Sequence, residues 1–164
     1  MNQLRHKLMK EEAETRLNSA RILNNCNDRS DSAYLLELLA FELLIKIMVE
    51  KDTQTNAPNS HKYDELFTRL SAESQTNVIN LACERIGPSK LTTDYVAVLK
   101  ELGNNFINLR YPYKMYNKLT ESEYAERGQE WKDTGNIDSV ADYRYHPEEL
   151  LGLIHATREL TNGC

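Results

Sequence analysis

The sequence predicts an all-α protein, a single-domain helical bundle of about five to six helices over residues 1–164. Long segments rich in helix-forming residues carry apolar side chains at spacings of three and four. Only six glycines and four prolines interrupt them, and no alternating strand pattern competes. A chain that is 40 % apolar and 27 % charged has a globular composition and is long enough to bury one core.

The first two helices are predicted over the N-terminal third of the chain. An amphipathic helix extends from about Asn2 to Asn24, and its expected packing side consists of Leu4, Leu8, Leu17 and Ile22. Ser30, Asp31 and Ser32 are candidate N-cap residues for a second helix that extends to about Lys51. Because apolar residues cover nearly every face between Ala33 and Val49, we expect this helix at the centre of the domain.

The middle of the chain predicts three more helices. A short helix is expected from about His61 to Leu70, and the next extends from Ser71 to Gly87-Pro88, a cap followed by a breaker. The fifth follows Thr92-Thr93-Asp94 and ends or kinks at Pro112. Its continuous apolar stripe is Tyr95, Leu99, Leu102, Phe106, Leu109 and Tyr113.

The helical spacing of apolar residues is lost between about residues 119 and 145. Charged residues, two glycines and scattered aromatic residues predict a long irregular segment there, with Trp131 expected to hold it against the core. Pro147 at a first helical position, followed by Glu148 and Glu149, begins a closing helix.

Charge and cysteine content restrict the function classes. A net charge of −5 argues against attraction of the whole surface to nucleic acid, although a local basic groove is compatible with it. Three widely spaced cysteines predict neither a disulfide framework nor a zinc site. No apolar segment is long and uncharged enough for a signal peptide or a membrane span, so we expect a cytoplasmic protein without membrane association.

The segment that carries most chemistry follows the fifth helix. Arg110, Tyr111, Tyr113 and Tyr116 combine a cation with phenols, and Asn105 adds an amide nearby. Arginine suits bidentate contact with phosphate or carboxylate, and tyrosine can stack on a base. Two interpretations stay open: a ligand site, or a structural node in which Arg110 pairs with an acid of the central helix, Glu42 being the leading candidate.

Two smaller polar pairs are candidates for the same node. Glu42 and Lys46 lie four residues apart in the acid-first order that favours a helical salt bridge. His61 and Asp64 lie at a predicted helix start, where the histidine either caps and packs or acts as a metal ligand or proton carrier. No glycine-rich phosphate loop, nucleophile elbow or metal-binding histidine cluster is readable, so no cofactor and no metal are expected.

Three segments, in this order, resemble the HEPN domains of prokaryotes over most of the chain. Residues 33–46 resemble the family's central helix with its A-x-E-x-x-x-K pattern, and residues 60–67 resemble its turn into a helix. Residues 106–113 resemble the F-x-x-x-R-Y-x-Y helix end, although Lys114 stands where the family often has Glu. The resemblance also includes residues 143–147, which precede the predicted final helix.

The resemblance implies an up-and-down helical core, frequent homodimers and a setting in prokaryotic defence or toxin–antitoxin pairs. Catalytic members are metal-independent ribonucleases in which four to six residues separate an Arg from a following His, and here Met115, Tyr116 and Asn117 stand at those positions after Arg110. We therefore expect a non-catalytic interaction module that forms a homodimer or docks on a partner protein and recognises a nucleotide or RNA through Arg110. The alternatives are an RNA endonuclease that uses Arg110 with Tyr113 or Tyr116, and a regulatory or antitoxin subunit without a ligand.

Overall fold

The described part of the chain folds entirely into helices, as the sequence predicts. The computed structural model describes residues 3–28, 30–135 and 141–162, and these contain eight helices. In chain order they are α1 (Gln3–Asn25), α2 (Ser32–Thr53), α3 (Tyr63–Phe67), α4 (Ala72–Ile86), α5 (Leu91–Asn108), α6 (Tyr113–Tyr116), α7 (Glu121–Asp133) and α8 (Pro147–Asn162). Within these residues, no helix combines the length and the apolar content needed to cross a membrane.

Helix α2 lies at the centre, which confirms the expectation from its apolar faces. Its side chains are buried along the whole helix, and α1, α3, α5 and α8 all pack against it. Arg5, near the start of α1, bonds to Glu50 near the end of α2, so these two helices are antiparallel. Lys51 reaches the carbonyl of Thr161 at the end of α8, which therefore extends parallel to α2.

The predicted packing side of α1 is wrong. Its two fully buried residues are Ala13 and Ala20, and small side chains let the helix approach α2 closely. Of the four residues expected on that side, only Leu17 packs against the core. Leu4, Leu8 and Ile22 are more than half exposed.

The prediction of a long irregular segment at 119–145 is also wrong, because Glu121–Asp133 form helix α7 within it. Thr120 and Glu123 form a capping box, in which the threonine hydroxyl accepts from the Glu123 amide and the carboxylate accepts from the Thr120 amide. No residue of α7 is buried, and Trp131, which was expected to hold the segment down, is exposed. The helix is therefore stabilised by caps and local side-chain pairs rather than by a core-facing stripe.

The regular part of α5 begins at its predicted cap, Asp94. The backbone of Asp94 is non-helical, with φ −152° and ψ 62°, and its carboxylate accepts from the Ala97 amide at 3.0 Å. Residues Leu91–Thr93 form a separate turn before this point. The expected apolar stripe is buried at Leu99, Leu102, Phe106 and Leu109, whereas Tyr113 at its end is exposed.

Gly103 brings the residues before α3 into close contact with α5. A Cβ atom on Gly103 would lie 2.8 Å from the His61 carbonyl oxygen and 3.2 Å from the Tyr63 amide nitrogen. Only glycine leaves room for this approach, so Gly103 determines how closely His61 is held to the bundle.

We predict that Gly103→Ala destabilises the fold although alanine is the better helix former. The backbone must shift to admit the methyl group, and overpacking of this kind costs about 1–3 kcal/mol. Gly128→Ala on α7 is the matched control, because a Cβ there meets nothing within 4 Å. It should stabilise by about 0.5–1 kcal/mol. Urea unfolding measures both, and equal effects of the two substitutions would contradict the prediction.

Candidate functional site

The polar residues of the central helix form a cluster with His61. The carboxylate of Glu42 is 5 % exposed and accepts from Lys46 Nζ at 2.7 Å, as the spacing of these two residues predicts. Its other oxygen lies 2.8 Å from His61 Nδ1. The Lys46 side chain is 12 % exposed and that of His61 38 %, so the cluster extends from the core to the surface.

Arg110 does not pair with Glu42, and that prediction is wrong. Its guanidinium carbon lies 4.7 Å from the centroid of the Phe106 ring, and the side chain is exposed. The His61 ring lies 5.2 Å from the same centroid, so one phenylalanine contacts both groups. Glu42 is satisfied by closer partners, one on its own helix and one brought by the residues before α3.

Tyr63 is fully buried near this cluster. Its hydroxyl donates to the carbonyl oxygen of Leu38 at 3.0 Å. Burial, reinforced by the nearby charge of Glu42, raises the pKa of Tyr63 well above its ordinary value. This phenol is therefore neutral and structural, and it takes no part in proton transfer.

A surface groove of about 430 Å³ begins at Arg110, and we call it the Arg110 groove. Its described lining consists of Ile107, Asn108, Arg110, Tyr111, Lys114, Met115 and Tyr143. Lys114 Nζ lies 4.4 Å from the centroid of the Tyr111 ring. Among the described residues, the side chains of Arg110 and Lys114 have no ion pair or hydrogen bond, and no acid lines the groove. No described carboxylate therefore competes with an anion for these two cations.

The remaining tyrosines of the predicted site fall in two environments. Tyr111 and Tyr113 are 51 % and 63 % exposed, and their rings meet edge to face at 6.5 Å. The hydroxyl of Tyr116 donates to Asp142 at 2.8 Å. Burial, followed by this hydrogen bond, raises the pKa of Tyr116. Tyr116 therefore keeps its proton at neutral pH and is unsuited as a base.

Asn105 and Asp64 lie apart from the Arg110 groove. Asn105 is buried, and its amide donates to the carbonyl of Arg144 at 2.7 Å and to the hydroxyl of Tyr34 at 3.2 Å. Asp64 lies in the first turn of α3, where a negative charge suits the helix dipole. Within the described residues, no salt bridge or hydrogen bond joins its side chain to the Glu42 cluster.

The 141–146 segment supplies a site residue that sequence reasoning missed, Tyr143. Besides Asn105, Tyr34 holds this segment by donating to the Tyr145 carbonyl at 2.5 Å. His146 is nearly buried and contacts Glu101 of α5, which also binds Arg144 at 2.8 Å. The aromatic run before Pro147 was visible in the sequence, but nothing local indicated which helix it would meet.

No group of three His, Cys, Asp or Glu side chains arranged to hold a metal occurs in the part of the chain that the structure describes. The chemistry that these residues can perform is therefore anion binding by Arg110 and Lys114, stacking on exposed phenols, and proton transfer at His61. The carboxylate of Glu42 contacts His61 Nδ1 and so orients the ring.

We predict that Glu42 and Lys46 are strongly coupled in stability. Glu42→Leu leaves the mostly buried Lys46 without its carboxylate and should lower the free energy of unfolding by about 3–5 kcal/mol. The double variant Glu42→Leu/Lys46→Met should recover much of this loss, because no unpaired charge remains. Chemical unfolding of the single and double variants measures the coupling.

The exposed pair Lys7 and Glu11 is the control, since it has the same spacing with a 3.8 Å separation. Lys7→Met/Glu11→Leu should change the free energy of unfolding by less than about 0.5 kcal/mol. If the effects of Glu42→Leu and Lys46→Met simply add, the pair is not coupled and the prediction is wrong.

Comparison with known proteins gives no further constraint on this site. No protein-family model, curated protein or solved structure matches the chain. The resemblance of its motifs to HEPN domains therefore stays a prediction. We infer function from the positions of the side chains alone.

Proposed function

We propose that this protein is a non-catalytic interaction module that binds single-stranded RNA in the Arg110 groove. The observation that carries the proposal is the charge of the groove. Its described lining holds two cations and two tyrosines but no acid, in a protein whose net charge is −5. A local positive groove on an acidic protein favours a polyanion at this place and disfavours it elsewhere.

The two cations are suited to phosphate contact. A guanidinium can donate two parallel hydrogen bonds to a phosphate, and an ammonium group supplies a compact charge beside it. Each cation lies over an aromatic ring, and no ion pair with a described carboxylate has to break before phosphate binds. Arg110 and Lys114 are therefore the phosphate contacts of the proposal.

The exposed phenols favour a single strand over a duplex. Tyr111 and Tyr113 present rings to solvent beside these cations. An aromatic side chain can stack on a base only when that base is unpaired and unstacked from its neighbours. Base stacking adds to phosphate contact without requiring a particular sequence, so we expect affinity for RNA of varied sequence.

We predict that Arg110→Ala/Lys114→Ala weakens binding of a single-stranded RNA octamer at least tenfold. Removal of these cations should also reduce the slope of log affinity against log salt by about 0.7 for each phosphate that is no longer neutralised. Fluorescence anisotropy at several salt concentrations measures both quantities.

The matched control is Arg85→Ala/Lys100→Ala, which removes one arginine and one lysine from exposed positions outside the groove lining. This variant should bind with nearly wild-type affinity. Equal weakening by the two double variants would mean that net charge, and not the groove, determines binding. Absence of saturable binding by the wild-type protein at low salt would leave the regulatory subunit without a ligand as the better interpretation.

A second candidate function is metal-independent RNA cleavage, and the position of His61 favours it. Glu42 fixes the His61 ring by a 2.8 Å contact, and the Phe106 ring contacts both His61 and Arg110. His61 Nε2 could take the proton of a ribose 2′-hydroxyl while Arg110 stabilises charge on the phosphate. The 2′-oxygen would then attack phosphorus and form a 2′,3′-cyclic phosphate, while the P–O5′ bond breaks and the departing 5′-oxygen takes a proton from water. In this version His61 replaces Tyr113 and Tyr116, which were the partners expected from the sequence.

RNA incubated with pure protein in EDTA separates the two candidates. If the protein cleaves, we predict that His61→Gln lowers the cleavage rate at least a hundredfold and leaves RNA affinity within about twofold. Tyr113→Phe is the control and should cleave at the wild-type rate. Intact RNA after prolonged incubation with the wild-type protein would exclude the cleavage candidate and leave the binding proposal standing.

The resemblance to HEPN domains adds a homodimer and a role in prokaryotic defence or toxin–antitoxin pairs to the proposal. Both additions rest on the sequence motifs. Light scattering of the pure protein measures its oligomeric state, and a strict monomer would count against the first.

A further inference from the structure

A second opening, separate from the Arg110 groove, lies between α7 and the 141–145 residues. It encloses about 500 Å³, which is within the usual range for a small-molecule site. Its aromatic walls, which we call the aromatic cleft, are Tyr116, Tyr124, Trp131, Tyr143 and Tyr145. Tyr116 and Tyr124 meet edge to face at 5.0 Å, so their ring planes are set at a steep angle. Such a cleft fits a flat, largely apolar ring.

The carboxylate at the edge of the aromatic cleft is already paired, and Lys132 adds a cation to the described lining. Arg127 Nε donates to Asp142 Oδ1 at 2.8 Å, and the Tyr116 hydroxyl donates to Asp142 Oδ2 at 2.8 Å. Aromatic walls with an unpaired carboxylate would favour a cationic ligand, but this carboxylate has two partners. The cleft therefore favours a neutral ring with polar edges, and a nucleobase has that chemistry.

Gly128 keeps the aromatic cleft open. It lies in the lining and in the middle of α7, where glycine is about 1 kcal/mol worse than alanine for the helix. A Cβ at this position would meet nothing within 4 Å, so no backbone contact requires glycine. Helix α7 therefore has glycine, a residue that disfavours a helix, at a position where a large side chain would fill the cleft.

Tyr143 connects the aromatic cleft to the Arg110 groove, because it lines both openings. We infer that the aromatic cleft holds one unstacked nucleobase of the RNA strand whose phosphates lie on Arg110 and Lys114. This inference rests on the proposed RNA binding and adds a second site to it. The base stacks on tyrosine rings, and its polar edge faces Asp142 and Arg127.

The test compares Gly128→Leu, which fills the aromatic cleft, with Gly128→Ala, which does not. Each variant is titrated with octa-adenylate and with an octamer of the same backbone that lacks bases. Base stacking on aromatic side chains is worth about 1–3 kcal/mol per base, which corresponds to a fivefold to 150-fold change in affinity. We expect Gly128→Leu to lose about tenfold in affinity for octa-adenylate, and both variants to bind the abasic octamer as the wild-type protein does.

Trp131 gives an independent signal, since it is the only tryptophan of the chain and lines the cleft. Adenosine should change Trp131 fluorescence saturably in the wild-type protein and in Gly128→Ala, but not in Gly128→Leu. Equal octa-adenylate affinity of the two Gly128 variants, or an adenosine signal that Gly128→Leu retains, would overturn the inference.

Failure of the proposed RNA binding can be distinguished from failure of the base site. In that case the wild-type protein binds neither octamer, and the adenosine signal alone decides. A saturable signal that Gly128→Leu abolishes would support a base site without RNA binding, and no signal would overturn the base site as well.

Discussion

A helix that is apolar on every side must be covered on every side, and the architecture of this protein follows from that requirement for α2. Four helices, α1, α3, α5 and α8, pack around it. The single carboxylate in its middle, Glu42, can remain there because Lys46 and His61 satisfy both of its oxygens. Coverage of α2 thus also places His61, the most reactive side chain near the candidate site.

The sequence predicts those helices whose stability comes from burial. Regular apolar spacing predicted α4, α5 and α8, apolar residues on nearly every face predicted α2, and the caps at Asp94 and Gly87 lie at the expected boundaries. Helix α7 was missed because it buries nothing, although the Thr120-x-x-Glu123 pattern is a readable capping box. Helix α1 was found with the wrong face, since large apolar residues were weighted above the alanines that allow close packing. The spacing of apolar residues indicates which helix faces are buried. A solvent-exposed helix, or a helix contact made through small residues, does not produce that spacing.

The candidate site was only partly predictable, for a different reason. Local pairs such as Glu42 with Lys46 follow from helical spacing. The partner of His61 depends on how the residues before α3 cross α5, which is determined by a glycine far along the chain, Gly103, and by no local signal. Tyr143, which lines the Arg110 groove, belongs to the segment that follows α7 in the sequence. Contacts of this range require the tertiary structure.

His146 carries a consequence for the order in which the molecule assembles. Its φ of 46° is unfavourable for a residue with a side chain, and it directly precedes a proline, which restricts it further. The contacts that hold it come from Glu101 on α5 and Glu149 on α8. Neither helix alone supplies both, so this backbone conformation becomes stable only after α5 and α8 have docked on α2. We therefore expect the 141–146 segment to take up its backbone conformation late in folding, and the two openings that share Tyr143 to form together at that point.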